Sequence, residues 1–370
     1  MRTLIKKYSS GFVICGVVKS EEAKHIFLDR SLNVLEINNG KCQLYIGGSV
    51  IDLEPVSNEK ISALSEFDVL TIHDSGLFES VYISGDDAVL FVTSNCNSNC
   101  IICPSSYTSR KNGSVDRLSL LLEQIDYFQS DISHITITGG EPLMLGNGLF
   151  TLLAKCKHKF EFTKFLLLTN GRGFSNRKFA LSFANSAPNN IAVAIPIHAA
   201  NAQDHDTITQ VEGSFKQTII GTKNLIQLGF IIEIRIVVNR LNFKQMLDIA
   251  GFLLDEFVGG FKVYFIGLEM TGNAAIIAND IWISYNESFS AIKPAVDFLV
   301  LNGIDVELYN FPLCSVNRGY YSICARSISP EKVFKEGSEC ESCSLTNACG
   351  GVFRGSYRFA IKDIRRVISC

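Results

Sequence analysis

The sequence predicts an α/β fold built on parallel strands, with a small mostly-β domain before it and a cysteine-rich extension after it. Three observations carry this. From residue 88 to about 310, short apolar runs alternate with stretches of helical periodicity. Strand–helix alternation means parallel strands joined by right-handed crossovers. In residues 1 to about 86, apolar runs are separated by turn residues instead. From residue 311 onward the informative residues are cysteines at short spacings. The expected domains are therefore 1–86, 87–310 and 311–370. A chain of 370 residues that is 47% hydrophobic and 19% charged can build a large core and leaves little room for long disorder. A formal net charge of −3 gives no reason to expect wholesale nucleic-acid binding.

In the first domain the runs 12–18, 34–37 and 44–46 read as strands. Asn38-Asn39-Gly40, Gly47-Gly48, Asp74-Ser75-Gly76 and Ser84-Gly85-Asp86-Asp87 read as turns. The run 12–18 is too short for a membrane span or a secretion signal, and Lys19, Glu21 and Glu22 follow it closely. No chemical motif falls in this domain.

In the second domain the expected order begins with strand 89–92, helix 116–130, strand 134–138, helix 148–157 and strand 165–168. Helix 176–186, strand 191–195, helix 215–228, strand 231–238 and helix 243–257 follow, then strand 261–266, helix 285–301 and strand 305–309. Leu118, Leu121, Leu122, Ile125 and Phe128 share one helix face. Gly229 is placed to end its helix. Ligands of such sheets sit at the C-terminal ends of the strands, so the residues just past each strand matter most.

Two motifs lie there. Cys96, Cys100 and Cys103 stand at C-x3-C-x2-C directly after the run 89–92. A thiolate is a soft, charged ligand for iron or zinc. Structural zinc normally takes a fourth protein ligand at paired spacing, and none follows within this loop. An iron–sulfur cube held by three cysteines leaves one iron open to a small molecule. Further on, Ile135–Thr138 runs into Gly139-Gly140-Glu141-Pro142. The glycines permit close backbone approach to a ligand, and Glu141 can accept hydrogen bonds from an amino group. Twelve cysteines clustered this way suit metal-bound thiolates in a reducing cytoplasm better than disulfides.

Three-cysteine loop, helix, strand and Gly-Gly-Glu-Pro, in that order, resemble the radical SAM superfamily. The resemblance implies a partial (β/α)6 TIM-like barrel. It implies a [4Fe-4S] cluster on Cys96, Cys100 and Cys103, chelated at its open iron by the amino and carboxylate groups of S-adenosylmethionine (SAM). It further implies that Gly139, Gly140, Glu141 and Pro142 contact the methionine amino group. Thr169 and Asn170 are implied to bind the methionine or ribose part, and the segment from Gly267 to Gly272 to back the adenine. Ile102 departs from the family, which often has an aromatic residue there, so its adenine contact is expected to be apolar without stacking. Arg235, inside a strand, needs an anionic partner if buried. The SAM carboxylate is one candidate and Glu233, on the same strand face, is the other. Glu269 is a candidate for acting on substrate. His198 and the loop pair His205-Asp206 read as structural.

The third domain holds Cys340-x2-Cys343-x5-Cys349-Gly350-Gly351, with Cys314 and Cys324 upstream and Cys370 at the end. Four thiolates suit zinc or a fully ligated iron–sulfur cluster, and metal chemistry alone does not choose. After a radical SAM core the pattern resembles SPASM/Twitch extensions. That implies an auxiliary [4Fe-4S] cluster on Cys314, Cys340, Cys343 and Cys349, with Cys324 the rival fourth ligand. Phe353 stands where the full SPASM pattern has a further cysteine, so a single auxiliary cluster is expected. Cys15, Cys42 and Cys156 sit in apolar surroundings and read as inert core residues. Arg354, Arg358, Lys362, Arg365 and Arg366 read as a solvated basic face.

Leu90–Thr93, Ile266–Gly272, Leu308–Asn310 with Leu313-Cys314, Ala325–Ser329 and Cys340–Gly351 narrow the resemblance to His-Xaa-Ser system radical SAM maturases of the HxsC type. Pro104-Ser105-Ser106 departs from that type. The resemblance implies a cytoplasmic enzyme that cleaves SAM reductively to a 5′-deoxyadenosyl radical, with electrons from flavodoxin or ferredoxin. The radical takes hydrogen from a small protein bearing His-Xaa-Ser repeats, and a second radical SAM maturase is the partner. A crosslink or other oxidative change is the expected product; for an epimerisation, Cys324 is the candidate hydrogen donor. The alternatives are a radical SAM enzyme for a small molecule or RNA, and a metal-bound scaffold without turnover. Neither a membrane nor a nucleic acid is expected as a partner.

Overall fold

The first sheet is built from β1 (Arg2–Thr3), β2 (Phe12–Val18), β3 (Val34–Asn38), β4 (Lys41–Ile46), β5 (Ser49–Leu53), β6 (Val69–His73) and β7 (Leu77–Tyr82). The computed structural model describes residues 2–3, 12–38, 41–54, 63–73, 77–82, 87–105, 117–325 and 333–368. The strand order is β1-β7-β6-β2-β3-β4-β5, antiparallel except between β2 and β3. The unexpected helix Glu21–Leu28 joins those two. Ser20 caps it by accepting from the Ala23 N–H at 3.2 Å, and Glu21 and Glu22 meet the positive end of its dipole.

Successive strand residues face opposite ways, so this sheet has two cores. Val13, Cys15, Val17, Leu35, Leu44 and Leu70 pack on one face. Ile14, Val18, Val34 and Val69 pack with Phe27 on the other, which is continuous with the core of the rest of the chain. Tyr127, at the end of helix Arg117–Tyr127, pins the junction. Its hydroxyl donates to the Ile14 carbonyl at 3.0 Å and accepts from the Asn33 N–H at 3.1 Å.

The second sheet is a row of eight parallel strands in chain order: β8 (Ala88–Thr93), β9 (His134–Gly139), β10 (Lys164–Leu168), β11 (Ile191–Pro196), β12 (Ile231–Val237), β13 (Phe261–Ile266), β14 (Val306–Tyr309) and β15 (Cys324–Ala325). In β12, Ile232, Ile234 and Ile236 are fully buried toward the helices, while Glu233, Arg235 and Val237 are half-buried on the concave face. Helices Asn147–Lys159, Arg177–Ser186, Ser214–Gln227, Met246–Glu256 and Tyr285–Leu301 cover the outside. Gly229, at φ +85°, turns the chain out of its helix as expected. This is an open α/β barrel that presents every strand's C-terminal end on one rim.

Several elements differ from expectation. Helix Met246–Glu256 is preceded by a 3-10 turn, Phe243–Gln245. His205-Asp206 lies on a helix, Ala202–Thr209, and not in a loop; Asn201 caps it by accepting from the Asp204 N–H at 2.9 Å. β15 carries the sheet past residue 310. A two-stranded ladder of β16 (Val333–Phe334) and β17 (Val352–Phe353) frames the last cysteines. Asn39-Gly40, Asp74–Gly76, Ser84–Asp86, residues 326–329 and Cys370 lie outside the described residues. Among the described residues no helix is long and apolar enough to cross a membrane. Cys15, Cys42 and Cys156 are buried, and burial pushes the Cys15 and Cys156 thiols up to about 12.

Candidate metal and cofactor site

The three-cysteine loop leaves the C-terminal end of β8 and is held from three sides. Behind it, the Gly140 N–H donates to the Thr93 carbonyl and the Glu141 N–H to the Asn95 carbonyl, both at 2.7 Å. A Cβ at Gly139 would stand 2.3 Å from the Thr93 oxygen, and one at Gly140 would stand 2.3 Å from the Asn95 oxygen. The double glycine therefore admits the loop's own backbone. On the second side, the Asn99 N–H donates to Thr209 at 3.1 Å and the Ile101 N–H to Ile208 at 3.0 Å, tying the loop to the end of helix Ala202–Thr209. On the third, the Asn273 N–H reaches the Cys103 carbonyl and its Nδ2 the Cys100 carbonyl, each at 3.0 Å. Gly272, at φ +55°, fits there because a Cβ would stand 2.3 Å from the Pro104 oxygen. Cys96, Cys100 and Cys103 are all half-buried. Ile102 is buried with Ile208, Leu268 and Met270, so it packs inward.

Glu141 is 1% exposed. Its Oε1 accepts from the Thr169 hydroxyl at 2.6 Å and the Leu143 N–H at 3.0 Å, and its Oε2 from the Asn170 N–H at 2.7 Å. Burial pushes its carboxyl up, and these three donors pull the other way. This carboxylate braces two neighbouring turns. Pro142, buried beside it, opens the 3-10 turn Pro142–Leu145.

Asn170 extends the brace, its Nδ2 donating to Asn97 Oδ1 at 2.7 Å. Arg172 completes it: Nη1 reaches the Asn97 carbonyl at 2.6 Å and Ser98 Oγ at 3.0 Å, while Nε donates to Gln217 at 2.8 Å. Sequence reasoning missed Arg172. Its one signal was position, two residues past the Thr-Asn pair that ends β10.

Arg235 pairs with Glu233, Nη2 to Oε2 at 3.0 Å, so the same-strand partner is the one observed. Gly267 again answers a backbone demand, since a Cβ would stand 2.6 Å from the Asn310 oxygen. Glu269 is half-buried on the segment that leads to Gly272. His198 and His205 are buried with ring centroids 5.2 Å apart, and burial pushes them down to about 3 and about 4. Asp206 accepts from the Gly213 N–H at 2.6 Å and the Phe215 N–H at 2.8 Å, a structural cap for the next helix.

Cys314, Cys340, Cys343 and Cys349 line one small pocket together with Leu313, Thr346 and Arg365. The Leu313 and Gly351 N–H groups each point at Cys349 Sγ at 3.3 Å, and the Val367 N–H at Cys343 Sγ at 3.4 Å. Cys324 does not line that pocket. It pairs in register with Leu308, on the helix side of the sheet, and its thiol points to the Tyr320 carbonyl at 3.4 Å. It therefore stands apart from the four cysteines that line the pocket. Arg354, Arg358, Lys362, Arg365 and Arg366 are exposed.

Among the described residues, no three His, Cys, Asp or Glu side chains stand close enough to hold a single metal ion. Four thiols around one pocket, two of them receiving backbone N–H groups, suit a multi-iron cluster, whose ligands stand farther apart. Three thiols on one loop suit a cluster with an open corner. A cavity of about 770 Å³ lies at the opposite end of the strands, lined by their first residues. The anchoring contacts described above converge at the cysteine rim.

The pattern that describes the Radical SAM superfamily matches residues 90–253. The chain is 28% identical over 165 residues to the antilisterial bacteriocin subtilosin biosynthesis protein AlbA of Bacillus subtilis, covering 44% of this chain and 35% of AlbA. It is 24% identical over 188 residues to a probable GTP 3′,8-cyclase of Saccharolobus islandicus, covering 50% of this chain and 58% of the cyclase. The match thus spans about a third of the first relative and little more than half of the second. Among solved structures, Streptococcus suis SuiB bound to precursor peptide SuiA is similar at TM-score 0.47 and 13% identity, over 69% of this chain and 54% of SuiB. Native anSMEcpe with bound AdoMet is similar at TM-score 0.46 and 17% identity, over 60% and 63%. Over residues 90–253, somewhat less than half of its length, the chain is thus similar to the radical SAM superfamily of enzymes, and that similarity implies a SAM-binding [4Fe-4S] cluster.

Proposed function

We propose that this protein is a radical SAM maturase that modifies a small protein or peptide. In this reading Cys96, Cys100 and Cys103 hold the [4Fe-4S] cluster that binds SAM. Cys314, Cys340, Cys343 and Cys349 hold an auxiliary one. When bound, the cluster and SAM supply hydrogen-atom abstraction from unactivated carbon, and the protein supplies position and exclusion of water. Gly139, Gly140 and the Glu141–Thr169 brace hold the loop at the strand ends. Asn170 and Arg172 fix Asn97 and Ser98, and Asn273 closes the far side. Gly267 and Arg235 sit at or below the same rim.

The observation that carries the reading is a three-thiol loop fixed from three sides at the C-terminal rim of a parallel sheet. The similarity to AlbA, a bacteriocin biosynthesis protein, supports a peptide substrate. The HxsC-type motifs support a small protein with His-Xaa-Ser repeats, a second radical SAM maturase as partner, and flavodoxin or ferredoxin as reductant.

The test is anaerobic co-expression with the small His-Xaa-Ser protein, followed by mass spectrometry. Loss of two hydrogens is expected for a crosslink, together with SAM cleavage under dithionite that disappears in Cys100→Ala. Wild-type protein that carries iron but cleaves no SAM would sink the proposal. The half-length similarity to a probable GTP cyclase favours a second reading, a small-molecule substrate. Substrate-dependent SAM cleavage with GTP and none with the peptide would select it.

A further inference from the structure

The barrel lumen carries charge that the proposed reaction does not use. Glu233 and Arg235 lie on the concave face of β12. In register beside them stand Lys262 and Tyr264 of β13, and Glu307 of β14 stands beside Tyr264. Arg235 donates to Glu233, and its buried Nε has no partner among the described residues. Lys262 is engaged by Asp305 at 3.1 Å. Counting Lys164 and Asp87, which line the same end of the barrel, three cations (Arg235, Lys262 and Lys164) face four carboxylates (Glu233, Glu307, Asp305 and Asp87). The Arg235 bond is the one hydrogen bond that Glu233 accepts among the described residues.

Glu233 also lines the 770 Å³ cavity at the N-terminal mouth of the barrel, with Val89, Thr136, Leu166 and Ala192. Val89 and Ile231 are 52% and 55% exposed on that cavity wall. A cavity with apolar walls and few placed polar groups is how proteins bind organic ligands. A half-buried carboxylate in excess of its cations favours a positively charged or strongly donating guest.

We infer that Glu233 is a specificity-determining residue that recognises a cationic side chain of the peptide substrate, entering through the N-terminal mouth of the barrel. This rests on the peptide reading above and names a feature of that substrate. From Glu233 to the rim at Val237 is four residues, about 13 Å along an extended strand. The recognised side chain is therefore not the one that reacts. It sets the register of the peptide and lies several residues away from the reacting position.

The test is direct binding to the full chain by fluorescence anisotropy. The probes are labelled ten-residue Gly/Ser/Ala peptides carrying a single Lys, Gln or Glu at the same position. The Lys probe is expected to bind roughly tenfold more tightly than the Gln probe, the size of one charge-assisted hydrogen bond, with the Glu probe weakest. Glu233→Gln should abolish the preference while leaving the Gln probe unchanged. Arg235→Gln releases the carboxylate and should enlarge the preference. If that variant does not fold, Glu307→Gln replaces it, with a smaller preference expected. Equal binding of all three probes, no binding at millimolar concentration, or an equal loss for every probe in Glu233→Gln would overturn the inference. SAM cleavage is measured separately: its absence speaks against the radical reading, and a flat probe series with intact cleavage speaks against this one.

Discussion

Glu141 shows how much one buried side chain can hold together. Its three donors are the Thr169 hydroxyl and the Leu143 and Asn170 N–H groups. In Glu141→Gln, an amide NH2 must face one of them, donor against donor. A loss of roughly 1–3 kcal/mol is expected, read by urea unfolding, with weaker iron retention by the loop of Cys96. Gly140→Ala pushes a methyl into the Asn95 carbonyl. Overpacking there should cost roughly 1–3 kcal/mol and lower iron at the same loop while sparing the C-terminal cysteines. The buried histidines give a pH signature. Unfolded His protonates near pH 6.5, whereas His205 and His198 stay neutral in the fold down to about 4 and about 3. Stability is therefore lost as pH falls below about 6.5, by roughly 2 kcal/mol per histidine at pH 5. His198→Gln should remove about one such share of the fall between pH 7 and pH 5; an unchanged fall would contradict the assignment.

Among the elements, those with strong apolar periodicity were legible. Strand Phe261–Ile266 and helix Tyr285–Leu301 have the bounds the sequence suggests. Helix Ala202–Thr209 was not legible, because its residues are mostly polar and its start depends on one Asn201 cap. The short strands β5 to β7 and β15 were missed because pairing defines them more than composition does. The site followed the same rule. Cysteines and glycines announce themselves by spacing, but what Gly139 and Gly140 accommodate, and the reach of Arg172 to Asn97, are tertiary facts. The junction between the sheets rests on the Tyr127 hydroxyl, which both donates and accepts there. Tyr127→Phe leaves the Asn33 N–H without its partner and should cost roughly 1–3 kcal/mol. Faster amide exchange is expected in β2 and β3, with β12 and β13 unchanged.

At the scale of the molecule, two groups of thiols lie in separate places, one on the strand rim and one under the β16–β17 ladder. Anaerobically reconstituted protein should carry about eight irons if both hold cubes, and about four after Cys96, Cys100 and Cys103 are changed together to Ala. Zinc in place of iron would contradict this. The rim loop has one further property. Its last clasp comes from Gly272 and Asn273, about 170 residues downstream of Cys100. During synthesis the cysteines therefore leave the ribosome long before the residues that close over them. The nascent chain carries an unclasped loop until Gly272 and Asn273 have been made. Any metal delivery in the cell that requires the finished loop must wait for that moment, and a chain truncated before residue 272 should emerge without its rim metal.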